Sequence, residues 1–256
     1  MISISRTVGL APLFSIPMLL VAGSPTVQAQ GRGGITQPPL NPKASAPADF
    51  TGYWVSVVVE DWRYRMLTPP KGDYTGLPLN DKARKIADAW DAAKDATPED
   101  QCKSYAAPSL MRIPGRVHIS WQDDQTLKAE SDAGKQTRLF YFGVPKGPAG
   151  EWQGLSQAAW EEIPASRGAP LFSGSLRIVT TGLKPGYLRK NGVPFSANAT
   201  LTEFFDRVVE PDGDTYLIIT TTVNDPEYLV QPYLTTTHFK KEADASGWNP
   251  TPCGAP

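Results

Sequence analysis

Two cysteines and two histidines are all that this chain of 256 residues holds, and its formal net charge is only −1. Such a balance of charge gives no general electrostatic reason to bind nucleic acid or an anionic membrane, so neither is expected as a partner. No G-x-S-x-G elbow, H-E-x-x-H helix, Walker loop or dinucleotide-type glycine loop occurs. Those absences remove the motif-bearing serine hydrolases, zinc hydrolases and nucleotide-dependent enzymes. His118 and His238 lie far apart and form no close-spaced ligand pair, so no metal is expected, and no organic cofactor either. No repeat recurs at a solenoid or propeller period.

What is present begins with Met1–Ala29. One positive charge (Arg6) is followed by an apolar stretch from Val8 to Gly23 and then by Val27-Gln28-Ala29. That order predicts a secretory signal peptide cut after Ala29. The apolar stretch falls short of the ~20 residues that span a bilayer, and Pro12 and Pro17 interrupt it. No second apolar span follows, so no membrane segment is expected after processing. A periplasmic or secreted location follows, which licenses a disulfide between Cys102 and Cys253. A loop of that length stabilises by ~4–5 kcal/mol in the chain-entropy model.

Residues 30–48 read as a flexible leader rich in Gly, Pro and Ala. One domain, 49–256, then opens abruptly on a strand of aromatic and β-branched residues from Asp49 to Val59. One helix follows, capped by Asn80, with Ala83, Ile86, Ala87 and Trp90 at helical spacing and an end before Pro98. Trp90 is expected to dock it on the sheet. Short strands are expected near 110–113, 116–122, 126–131, 137–142, 156–163, 175–181, 199–209, 215–223 and 233–240. Asp212-Gly213 supplies a tight turn, while Pro185-Gly186 and Asn191-Gly192 break up the segment between 181 and 199. About ten strands and one helix after the first strand predict a mainly β fold, an antiparallel closed or nearly closed barrel.

Gly52-Tyr53-Trp54, following an acidic residue and an aromatic, resembles the Gly-x-Trp opening of lipocalin-type barrels of the calycin class. The wider pattern is similar to exported bacterial proteins of lipocalin-like type. The resemblance implies a barrel with a ligand cavity, Trp54 closing its floor, and a basic residue from late in the chain over that ring: Arg207, Lys240 or Lys241. The chain departs from that pattern in one respect, because its helix follows the first strand.

Three groups of residues carry possible chemistry. Alternation puts His118 with Ser120 opposite Val117, Ile119 and Trp121, and His238 with Thr236 opposite Phe239. Were these polar faces to line the lumen, two imidazoles would be available for acid–base work. Glu203 shares a strand face with Leu201, Phe205 and Arg207; it is either a proton-shuttling carboxylate or one half of an ion pair, for which Arg207 is the nearest partner. Glu60-Asp61-Trp62-Arg63-Tyr64-Arg65-Met66 forms either a mouth for a polar aromatic or carboxylated ligand, or a charged loop whose rings cover the core edge. Tyr187-Leu188-Arg189-Lys190-Asn191-Gly192 carries the same two readings, and of these the solvated turn is preferred.

Two main functions follow as expectations. The first is a barrel binding a small, largely apolar or aromatic molecule in its lumen, through Trp54, Trp62, Tyr64, Arg63, Trp121 and Phe205. The second is a cofactor-free isomerase, cyclase, dehydratase or lyase using Glu203, His118 and His238. An adhesion or envelope-assembly module without a cavity is a third.

Overall fold

The computed structural model describes residues 41–162 and 174–254. The expected signal peptide and most of the leader lie outside them. In chain order the strands are β1 (Gly52–Val57), β2 (Arg116–Asp123), β3 (Thr126–Ser131), β4 (Ala133–Gly134), β5 (Gln136–Tyr141), β6 (Leu155–Glu162) and β7 (Gly174–Thr181). They continue as β8 (Gly186–Arg189), β9 (Val193–Phe195), β10 (Thr200–Val209), β11 (Thr215–Asn224), β12 (Tyr233–Glu242) and β13 (Thr251–Pro252). Three helices, α1 (Trp62–Met66), α2 (Asp81–Asp88) and α3 (Ala107–Leu110), all fall between β1 and β2.

Nine strands close into a barrel in the order β1-β12-β11-β10-β7-β6-β5-β3-β2, with β2 returning to β1. The closed, mainly β fold is therefore as expected, with one correction of direction. Strands in a closed ring of nine cannot alternate direction all the way round, so one neighbouring pair must run parallel. That pair is β5–β6, joined only at Phe140↔Ser156 and Tyr141↔Gln157. Closure leaves the barrel no open edge. Residues 110–113, expected as a strand, instead complete α3 and the turn after it.

Alternation supplies the core. Trp54, Ile119, Leu127, Phe140, Leu176, Ile178, Phe205, Leu217 and Ile219 point inward and are buried to 1 % exposure or less. Trp54 donates its indole N–H to the Phe50 carbonyl at 2.9 Å. Of the three basic residues considered for the space over this ring, the pairing Trp54↔Lys241 selects Lys241, whose Nζ stands 5.4 Å from the ring centroid. The same lysine explains Gly52, which has φ +113° and a site where a Cβ would come 3.1 Å from Lys241 Cε. At this end of the barrel residues 41–48, expected as leader, lie against the wall: Trp160 donates to the Pro42 carbonyl at 2.8 Å and Ala48 touches the core.

The opposite end is covered by two long connections, 58–115 and 182–199, which share a second core with Leu201, Val223 and Tyr233 of the barrel. Asn80 caps α2 by accepting from the Ala83 amide at 2.9 Å, and Ala83 and Ala87, one turn apart, are fully buried. The helix stops at Asp88, so Trp90 lies beyond it and docks on a hairpin turn instead of the barrel sheet. Gly192, in the β8–β9 turn with φ +81°, receives it: a Cβ there would lie 2.1 Å from Trp90 Cγ. Gly192→Ala is expected to lose about 1–3 kcal/mol, from overpacking and the left-handed backbone together. An unchanged urea midpoint would disprove the fit.

Two tyrosines tie this cap together. Burial and a 2.7 Å hydrogen bond to Asp88 push Tyr74 up to about 12. Burial and Asp95 push Tyr187 upward as well. The folded chain therefore holds both protons more tightly than the unfolded chain, where a tyrosine titrates near about 10. Their contribution is complete below about pH 10; the Tyr74 part disappears as pH rises through about 12, and the Tyr187 part persists further. Urea titrations across that window should show a steep loss of stability, and Tyr74→Phe with Tyr187→Phe should flatten it. An equally steep loss in that double variant would show that other groups cause it.

Candidate functional site

The lumen and the cap offer different chemistry. Midway along the lumen Arg138 and Glu203, each wholly buried, form a two-pronged ion pair: Nη1 to Oε1 at 2.9 Å and Nη2 to Oε2 at 2.5 Å. Arg138 also donates to Thr180 Oγ1 at 3.2 Å, and Thr180 exchanges a 2.7 Å bond with Ser156. Glu203 is thus half of an ion pair, with Arg138 as partner in place of Arg207. Aromatic packing follows immediately, with Phe140 and Phe205 edge to face at 5.7 Å. These side chains fill the barrel around the pair.

The imidazoles stand elsewhere. Val117 and Ile119 of β2, and Thr237 and Phe239 of β12, take the lumen, so His118 and His238 point outward. His118 stacks on Tyr53 at 4.2 Å, beside Trp248, and meets Glu130 at 3.2 Å. His238 meets Glu60 at 3.1 Å. The barrel wall separates both from Glu203, and the three share no site. Trp54 and Phe205 are core residues, and Trp121 packs on Phe142 and Trp160. Among the described residues no three His, Cys, Asp or Glu converge as metal ligands, and no helix is long and apolar enough to cross a membrane.

In the cap three separate segments, 64–68, 104–113 and 188–190, line a solvent-open pocket with a cavity of about 70 Å³. It begins where β1 ends. Asp61 takes a left-handed backbone (φ 49°), which an aspartate tolerates, and its carbonyl accepts the first amides of α1. The short helix thereby presents Tyr64 and Arg65 to the pocket. The Arg65 side chain is fully buried; Nε donates to the Arg112 carbonyl at 2.9 Å and Nη1 pairs with Glu60. Arg112 donates from Nη2 to Asp61 at 3.0 Å. Arg189, delivered by β8, donates from Nη1 to the Thr75 carbonyl at 2.8 Å and lies 4.3 Å over the Tyr64 ring. Next to it, Lys190 sits over the Tyr105 ring at 5.1 Å.

The three guanidiniums are incompletely satisfied. Arg65 Nη2, Arg112 Nη1 and Arg189 Nε are buried and have no hydrogen-bond partner, although all three residues are more than nine-tenths buried. Burial holds Arg65 below the usual arginine range, and nearby Arg112 adds to this against the pull of Glu60 and Asp61. Buried donors without acceptors carry a desolvation cost, so a ligand that supplies acceptors here offsets it.

Of the residues expected to bind, Tyr64 alone lines this pocket. Trp62 is exposed and outside the pocket lining, and Arg63 turns away to Asp73 at 3.3 Å. Arg112, Arg189 and Lys190 were not among the expected site residues. The segment read as a solvated turn is a buried hairpin, in which Leu188, Arg189 and Asn191 have 5 % exposure or less. Asn191-Gly192 between two short apolar runs was the signal for it. A second hollow of about 190 Å³ lies beside Tyr141 and Phe142, with Lys146 as its one cation among the described residues. No protein-family model matches the chain, and neither a curated protein nor a solved structure matches it.

Proposed function

We propose that the chain is an exported barrel protein that binds a small molecule, and that the ligand sits in the arginine-lined pocket of the cap rather than in the lumen. One contrast carries this reading. In the lumen the Arg138 charge is balanced by Glu203, although Arg138 Nε and Thr237 Oγ1 stay without partners, whereas the cap pocket brings three guanidiniums and Lys190 together with no carboxylate in its lining. Concave sites with a few convergent polar groups are where small ligands bind. The 1–29 pattern and the Cys102–Cys253 bond support export. Closure of the barrel, with Lys241 over Trp54, supports the lipocalin-like resemblance. The acid–base enzyme has less support, because the barrel wall stands between Glu203 and both imidazoles. A filled lumen also suits an interaction module, and the gathering of four cations in one concave pocket favours binding over it.

Amide and arginine side-chain NMR spectra of the labelled, disulfide-bonded protein provide the test, with a set of neutral and charged fragments added in turn. Shifts should gather at 64–68, 104–113 and 188–190. Shifts at Trp54, Glu203 and Phe205 would restore the lumen as the seat, and none anywhere would favour the interaction module.

A further inference from the structure

Resting on that pocket as the ligand seat, we infer that its ligand is a free amphiphile held by a compact oxyanion, a carboxylate or a phosphate, with its apolar part lying out over Met66 and Leu67. The charges come first. Arg65, Arg112, Arg189 and Lys190 line the pocket, and no carboxylate does. Glu60 pairs with Arg65 and Asp61 with Arg112, and Glu60 also meets His238. Among the described residues Arg189 and Lys190 form no ion pair, and Asp73, the carboxylate that feels Arg189 at longer range, is already paired with Arg63. A cationic ligand is repelled here. A neutral one can accept hydrogen bonds without answering the charge.

An oxyanion does both. Guanidinium donors are planar forks that match carboxylate and phosphate oxygens, and charge-assisted bonds of this kind are stronger than neutral ones. Three guanidiniums arriving from different segments line one pocket, and each keeps one buried nitrogen without a partner; a group with several acceptor oxygens on one centre suits such a set. Tyr64 supports the Arg189 guanidinium from below, its ring centroid 4.3 Å from Cζ.

The apolar half of the ligand is read from the rim. Met66 and Leu67 line the pocket yet are 58 % and 66 % exposed. Trp62, on the same helical side as Met66, is 61 % exposed, and Val59 lies just before it at 67 %. Four of the nine large apolar side chains exposed among the described residues thus fall within the nine residues 59–67. Exposed apolar side chains gathered this closely beside a charged hollow mark a contact surface for something apolar. An anionic head in the pocket places a short chain or ring on that surface.

Octanoate, octyl phosphate, octanol and octylammonium below their aggregation limits, together with inorganic phosphate, are the probes, with affinity read by calorimetry at low salt. The two anions should bind at least tenfold more tightly than octanol, and octylammonium should not bind. Lys190→Gln should weaken the anions about threefold and Arg189→Gln at least tenfold, with octanol unaffected and thermal melting recording that both variants fold. Substitution of Arg65 or Arg112 is avoided because each would strand a carboxylate. Octanol matching the anions, with NMR shifts still at 64–68 and 188–190, would overturn the oxyanion while leaving the pocket reading standing. Shifts absent there for every probe would overturn the pocket itself. Inorganic phosphate binding as tightly as octyl phosphate would remove the apolar half. Co-sedimentation with vesicles containing phosphatidylglycerol, at an affinity above that for octyl phosphate, would assign the headgroup to a membrane surface and overturn the free ligand.

Discussion

Glu203→Ala is expected to lower the unfolding free energy by about 3–5 kcal/mol, because it strands the Arg138 guanidinium in a lumen with no other anion against it. Both side chains have 0 % exposure, so water cannot take the place of the missing carboxylate. Thr180 and the Ser156 hydroxyl behind it offer Arg138 only neutral acceptors. Arg138→Met should cost a similar amount by leaving Glu203 unpaired. The double replacement Arg138→Met with Glu203→Leu removes both charges and fills a comparable volume with apolar atoms. It is expected to recover most of the loss, since a buried pair taken out whole is often neutral or favourable. With the single Glu203→Leu added to close the cycle, urea unfolding of the unaltered protein, the Arg138→Met and Glu203→Leu singles and their double yields the coupling energy. Additive losses in the double variant would show that the pair is not the unit the geometry describes. The same series separates structure from catalysis, because a carboxylate serving only to balance Arg138 is dispensable once Arg138 is gone.

Cys102→Ser together with Cys253→Ser should cost about 5 kcal/mol in the chain-entropy model, for a bond that joins residues 151 apart. Few single bonds in this chain restrict the unfolded state so strongly. The folded surroundings supply only modest substitutes. β13 runs beside β4 for two residues, and the Thr251 amide donates to the Asp132 carbonyl at 2.8 Å. Tyr105 packs on Gly134, where a Cβ would come within 2.3 Å of its ring. Cys102 also opens the short segment that carries Ser104 and Ser109 to the pocket. Loss of the bond should therefore raise hydrogen exchange at 102–110 as well as at 248–253. An unchanged denaturation midpoint would sink the prediction; exchange confined to the tail would show that the cap is held without the bond.

Local chemistry made much of the architecture legible. The strands at 116–123, 126–131, 136–141, 155–162, 174–181, 200–209, 215–224 and 233–242 were readable to within about two residues, since side-chain alternation and turn residues act over a few positions. The Asn80 cap is a three-residue event and was equally readable. A two-cysteine chain with an export pattern left only one pair to form. Even the oddity of Glu203 among aromatics was visible, though its partner was not.

What the sequence by itself determined, then, is the strand positions, the disulfide and the presence of a misfit carboxylate. Ring closure decided the rest. Alternation says which residues share a face but not which face turns inward, and closure turned His118 and His238 out and Glu203 in. Nine strands in a ring made one pair parallel, and the register of β1 on β12 chose Lys241 for Trp54. Arg138 reached Glu203 from 65 positions away, and the pocket drew on segments near 65, 110 and 190. No local spacing carries such meetings, because they arise only when separate stretches of chain are packed against one another.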